Sequence, residues 1–177
     1  MAEAGKDVAR RVVEFAYRPA PPPVATSLGL DDDAEVLFSR SVRSVDGEPL
    51  DVVDEWVPAA VAGRVSRLDA EDTGIWACLR QHGHQVDTVR QTITAGVATT
   101  ADADLLRVAT GSPLLLVRRL ASDVGGRALA LSDHRYLAHR FSLEVEFRGW
   151  PTASAPEPPG LHSIPPPTQP PTKESTA

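Results

Sequence analysis

EVLFSRSVRSVDGEPLDVVDEWV, residues 35–57, carries the pattern on which the fold reading turns. In its first half Val36, Phe38, Arg40 and Val42 fall on one side of an extended chain, and Leu37, Ser39, Ser41 and Arg43 on the other, because strand side chains alternate with period two. Asp46-Gly47 supplies two residues that tolerate the positive φ of a tight turn, and LDVVDEWV returns as a second strand. The segment reads as a β-hairpin.

Working outward, the same period recurs. QVDTVRQTITAGVA (residues 85–98) sets Val89, Gln91, Ile93, Ala95 and Val97 against Thr88, Arg90, Thr92 and Thr94. LLLVRRLASDVGGRALALSDHRYL (114–137) is a hairpin with its turn at Val124-Gly125-Gly126, and FSLEVEF (141–147) alternates as a final strand. Two helices lie in the gaps. The first opens at Asp72 or Thr73, buries Ile75, Cys78 and Leu79 at helical spacing, and stops at Gly83. The second opens at Thr99 or Thr100, carries Leu105 and Val108, and ends at Gly111 before Pro113. Long hairpins with helices confined to the gaps predict an α+β, two-layer domain: an antiparallel sheet covered on one face.

Composition bounds the function. The chain has 177 residues, 42% of them apolar, and a net charge of −6. That balance opposes binding to a phosphate backbone, which needs a basic surface. No apolar run approaches the roughly 18 residues that span a bilayer, and the first fifteen residues lack the apolar core of a signal peptide. The single cysteine, Cys78, excludes an internal disulfide and a cysteine-based zinc site. The chain reads as cytoplasmic. Residues 151–177 hold nine of the sixteen prolines and read as an extended, disordered tail. The expected divisions are therefore an N-terminal extension (1–9), one ligand-binding domain (10–149) and the tail (150–177).

Several motifs are specific enough to compare. APPPVATSLGL precedes the first long strand, Arg43-Ser44-Val45-Asp46-Gly47-Glu48-Pro49 has the form R-x-x-D-G-x-P, and Trp56-Val57-Pro58 follows. ADADLLRVATGSPLLLVRRLASDVGGRALALSDHRYLAHRF then carries A-x-x-L-x-V-x-x-G-x-P-L-L and D-x-x-G-R in order. In this order the motifs resemble the UTRA domain, the effector-binding half of HutC-type members of the GntR transcription regulators. The resemblance covers roughly residues 10–147. It implies a chorismate lyase-like fold with a six-stranded antiparallel sheet, helices on one face, and a ligand cleft. Such domains normally follow a winged helix-turn-helix of about seventy residues, which reads the operator. Only about twenty residues precede APPPVATSLGL, too few for three helices and a wing. The chain as it stands is thus not expected to bind an operator, and VARRVVEFAYR resembles the strand that links the two domains.

The resemblance also implies a site. An arginine on the first long strand and a hydroxyl at the next helix start hold an anion, and a residue of the late strands closes over it. Arg43, Thr73 and Tyr136 match that pattern, with Ser41, Gln91 and Arg135 as further ligand-binding candidates. Taken singly, these residues also read as a surface arginine, an ordinary helix cap and a core tyrosine. The chain departs from the pattern where Ser41 replaces a second arginine, and where Val53, Ala130 and His139 replace acids. Those losses point away from a sugar phosphate and towards a smaller or more apolar carboxylate. His82 and His84, without a third ligand, make no metal site, His134 and His139 are expected on opposite sides of a strand, and no cofactor motif or catalytic triad is evident. Three readings follow. One is a stand-alone effector sensor in transcription regulation, dimeric with its own kind or with a full-length regulator. Another is a chorismate lyase-like enzyme using Arg43 with His134, Arg135 or Tyr136. The third is a pure interaction module that impairs a regulator's DNA binding.

Overall fold

The structure, a computed structural model, describes residues 8–63 and 65–144. The hairpin of residues 35–57 is its centre. Strands β2 (Glu35–Val45) and β3 (Glu48–Pro58) run antiparallel around Asp46 and Gly47, whose φ values of 54° and 81° are those of a two-residue turn matched to strand twist. Strand β1 (Val8–Pro19) pairs with β2. On the far side β3 pairs with β6 (Ala128–Leu137), β6 with β5 (Pro113–Ser122), and β5 with β4 (Thr88–Val97). Every pairing is antiparallel, and the order is β1-β2-β3-β6-β5-β4. The second predicted hairpin closes as expected, with Asp123 Oδ1 accepting from the N–H groups of Gly125 and Arg127.

One irregularity in β2–β3 positions the site. Ser44 faces Pro49, but Arg43 faces Asp51, so Leu50 is an extra, bulged residue. A single extra residue reverses the face taken by every side chain beyond it. Asp51, Val53, Glu55 and Val57 consequently share the face of Arg43, Ser41, Ser39 and Leu37, while Asp54 and Trp56 share that of Arg40 and Phe38.

Among the described residues, five short helices pack on this sheet: α1 (Pro22–Leu28), α2 (Ala59–Ala62), α3 (Arg67–Asp72), α4 (Ile75–Gln81) and α5 (Thr100–Leu106). The run α2–α4 lies on the Arg43 face, where Val61, Ala62, Ala70, Ile75, Cys78 and Leu79 bury Leu37, Val57 and Ala130. The opposite face is capped at its two ends. Helix α1 packs Val24, Ala25 and Leu28 on Phe38, Trp56 and Leu131, and α5 packs Ala103 and Leu106 on Val42, Val52 and Leu137. Helical cover on one face only is thus corrected to cover on both. The cause lies in β2, whose two faces are both apolar at the α1 end, so each needs a helix.

Element ends also shift. Thr73 ends α3, and Gly74 opens α4, one residue later than expected. The unpredicted α3 is started by a capping box in which Ser66 and Asp69 satisfy each other's backbone N–H. Thr99 and Asp102 do the same for α5, which stops at Arg107 in the left-handed region (φ 57°) instead of running to Gly111. Residues 141–144 form no strand, although the Phe141 ring stacks on Tyr136 with centroids 3.8 Å apart. The rest of the expected last strand and the proline-rich tail lie outside the described residues.

Candidate functional site

On the Arg43 face, between the sheet and the α3–α4 corner, is a cavity of about 160 Å³. Arg10, Arg43, Glu55, Arg119 and His134 reach it from five strands, and Thr73, Gly74, Ile75, Trp76 and Ala77 close it from the helices. Register explains the convergence. Arg10 is the ladder partner of Arg43, Arg43 of Asp51, and Asp51 of Tyr136, so one transverse row of the sheet carries four polar side chains on a single face.

Within that row the charges are unequally matched. Arg43 donates two bonds to Asp51, at 2.8 and 2.5 Å, and a third to the Tyr136 hydroxyl at 2.8 Å. Asp51 is fully buried. Burial alone raises its carboxyl, but hydrogen bonds from His134 and Arg43 outweigh that and hold it below the usual carboxylate range. Burial likewise disfavours the Arg43 cation, and its bonds to Asp51 more than compensate. By contrast, neither Arg10 nor Arg119 has a carboxylate partner among the described residues. Arg10 donates only to the Ala70 carbonyl (3.3 Å), and Arg119 to the Gln91 side-chain oxygen (2.8 Å).

Glu55 is the one acid of the cavity wall, only 7% exposed, and it makes no hydrogen bond among the described residues. Burial pushes its carboxyl up to about 7, against the pull of Arg10 and Arg43. His134 is also held below its usual value by burial. In the neutral ring Nδ1–H donates to Asp51 (3.2 Å), which leaves Nε2 to accept from the Ser132 hydroxyl at 3.1 Å and to face Arg119 at 3.4 Å. Asp51, His134 and Ser132 thus form an acid–histidine–serine line. Ser132 is wholly buried and does not line the cavity, so the line orients His134 and presents no nucleophile.

At the helical wall, the φ of 85° at Gly74 is left-handed and favours glycine, and a Cβ there would also push the Arg10 guanidinium aside. The first intrahelical bond of α4 runs from Cys78 N–H to Gly74, which leaves the N–H groups of Ile75, Trp76 and Ala77 without helical partners at the cavity.

The expected site residues are distributed as follows. Arg43 and Thr73 line the cavity, although the Thr73 hydroxyl donates back to Asp69 at the end of α3 and does not sit at the start of α4. Tyr136 is buried behind Arg43, Gln91 is exposed and braces Arg119, and Ser41 is buried with its hydroxyl unpartnered. Arg135 requires correction: it projects from the opposite face, where it joins Asp54 (3.0 Å) and Asp102 (2.8 Å) and so ties the α5 cap to the sheet. Adjacent strand residues alternate faces, so Arg135 and Tyr136 cannot serve one cavity. That opposite face has a larger hollow, of about 340 Å³, lined by Thr92, Thr94, Leu116, Arg118, Asp133 and Arg135. Its charges are matched, Arg118 with Asp133 and Arg135 with Asp54 and Asp102. Arg10, Glu55 and Arg119 were not anticipated as site residues. His82 and His84 belong to no group of metal-ligating side chains among the described residues.

A six-stranded antiparallel sheet with a polar cavity under a helical corner is the architecture of an effector-type domain. The chain matches the UTRA domain over residues 3–142 and belongs to that family. It corresponds to the C-terminal, effector half of GntR-type transcription regulators. It is 31% identical over 141 residues to the HTH-type transcriptional regulator Rv0792c of Mycobacterium tuberculosis, covering 76% of this chain and 50% of that protein. It is 23% identical over 143 residues to the "Probable fructoselysine utilization operon transcriptional repressor" of Escherichia coli (strain K12), covering 80% and 58%. The chain therefore spans about half the length of the curated relatives it matches. Among solved structures, it is similar to a protein assigned as a transcriptional regulator in Streptomyces coelicolor (30% identity, TM-score 0.72, 77% of this chain and 91% of that one). The C-terminal domain of the histidine utilization repressor from Pseudomonas syringae shares the fold (22% identity, TM-score 0.74, 80% and 99%). No described helix is long and apolar enough to cross a membrane.

Proposed function

We propose that the cavity binds a small carboxylate-bearing metabolite and that its occupancy is read out in transcription regulation. The observation that carries this reading is the pair Arg10 and Arg119, two guanidinium groups on one small cavity with no acid partner among the described residues. Placing two such charges in a half-buried site costs free energy that an anion returns, and a guanidinium fork suits a carboxylate. The net charge of −6 offers no basic surface for an operator, so DNA contact belongs to a separate winged-helix module, on the same polypeptide or on a partner. The partner surface is the free edge of β4, where Val89, Ile93 and Val97 stand exposed in one row and a second UTRA chain would cover them.

The test is a thermal-shift and calorimetric screen of short-chain carboxylates against amino-sugar phosphates. Carboxylates are expected to stabilise the protein, by about 2.7 kcal/mol at a hundredfold excess over Kd, and to remain unconsumed. Micromolar binding of an amino-sugar phosphate, or turnover of the carboxylate, would overturn the reading.

A further inference from the structure

The strongest unexplained group is Glu55. A carboxyl side chain buried to this degree normally has donors arranged around it, because an unpartnered polar group away from water costs free energy. Glu55 has none among the described residues: Arg43 is committed to Asp51 and Tyr136, and Arg10, whose charge also acts on Glu55, donates only to the Ala70 carbonyl. Its ladder partners are Ser39 and Ser132, both buried, and Ser132 donates to His134. Glu55 is instead one of the residues that line the cavity, together with Arg119 and Trp76. The bulge at Leu50 puts it there. Without the extra residue Asp54 would occupy this face and Glu55 the other. Val53, where the family resemblance places an acid, is a buried apolar residue two positions along the same face, so the acid of this cavity stands at a different point of β3.

Resting on the carboxylate reading above, we infer that Glu55 is a specificity-determining acceptor for a protonated amine, so that the ligand is a small zwitterion carrying both a carboxylate and an ammonium group. The carboxylate meets Arg10 and Arg119, and the ammonium group takes the otherwise unpartnered Glu55 carboxylate. Trp76 adds an aromatic wall that favours a cation over water. A ligand with a carboxylate alone covers the cavity and leaves Glu55 without a donor. It therefore forfeits the contact on which discrimination against a missing donor rests.

The experiment uses pentanoate, 2-aminopentanoate and 5-aminopentanoate as probes, titrated calorimetrically into the full chain and its Glu55→Gln variant. At least one aminopentanoate is expected to bind the wild type ten-fold or more tightly than pentanoate does, and this ratio should fall to about one in Glu55→Gln. Should the glutamine variant fold poorly, proton release gives the same answer in the wild type. Around pH 7 ammonium binding should expel roughly half a proton from Glu55, read in two buffers of different ionisation enthalpy. The charged groups around Glu55 are Arg10, Arg43, Arg119, His134 and Asp51 on its own face and Asp54 beside it on the other, and pentanoate binding in the same buffers controls for them. Equal affinity for pentanoate and both amino derivatives, or a preference that survives in Glu55→Gln, overturns this inference and leaves the carboxylate reading standing. Binding of none of the three overturns both.

Discussion

Arg10 and Arg43 face each other across the β1–β2 ladder, and among the described residues only Arg43 has a carboxylate to answer its charge. Like charges directly opposite in a sheet destabilise it by a few tenths to about 1 kcal/mol. The arrangement is stable because Asp51 neutralises Arg43 from the next strand, which leaves Arg10 as a surplus positive charge beside the cavity. That surplus, with Arg119 on the other side, supports the proposal that the site takes an anion.

Arg10 is thus expected to matter to ligand and little to folding. In Arg10→Ala the loss of the Ala70 bond and the relief of repulsion nearly cancel, so the unfolding free energy should change by less than about 1 kcal/mol. Affinity for short carboxylates should fall at least ten-fold, as one charge-assisted bond of about 1.5 kcal/mol or more is lost. Urea unfolding and calorimetry on the same preparation check the two halves.

Arg43 should behave in the opposite way. Removing it in Arg43→Met strands Asp51, which is fully buried, with only the neutral His134 ring beside it. Breaking a buried pair on one side costs roughly 3–5 kcal/mol. Adding Asp51→Asn to that variant should restore much of the loss, since an amide leaves no buried charge. Equilibrium unfolding of the two single variants and the double variant measures the coupling.

Glu55 gives a pH signature with a definite sign. Its folded-state value of about 7 lies above the ordinary 4.5, so in that interval the folded protein holds a proton that the unfolded chain has released. Its contribution to stability is therefore full below about 4.5 and lost as pH rises towards 7, by an amount on the order of 3 kcal/mol. His134, held low by burial, acts in the other direction as pH falls below 6.5. The difference between Glu55→Gln and wild type cancels His134, and it should grow in favour of glutamine from pH 4.5 to 7. Denaturation curves across that range check it, and a flat difference would contradict it.

How much of this was legible beforehand depends on which residues are asked about. The two hairpins were, because Asp46-Gly47 and Gly125-Gly126 sit between alternating runs. Arg43 and Thr73 at the cavity followed from the family resemblance. Glu55 was not legible, because a two-residue turn read without a bulge pairs Arg43 with Leu50 and sends Glu55 to the other face. Nothing in Glu48-Pro49-Leu50 announces that Leu50 is extra. Arg135, by contrast, was excluded by alternation itself once Tyr136 was assigned. The second helical face stayed hidden because β2 is apolar on both sides, and periodicity does not say which element covers which side.

Gly74 links backbone geometry to the cavity. Gly74→Ala should destabilise by about 1–3 kcal/mol through the positive φ, and it should displace the Arg10 guanidinium from the cavity. Combining it with Arg10→Ala should give little rescue of stability, which thermal melts would check.

The most direct test of an anion site on the Arg43 face is an amide-resonance titration of nitrogen-15-labelled protein with pentanoate and its amino derivatives. Saturable shifts are expected at Gly74, Ile75 and Trp76 and at the side chain of Arg119, with Thr92 and Thr94 across the sheet unmoved. Shifts centred on Thr92 and Thr94, or none at saturating ligand, would contradict it.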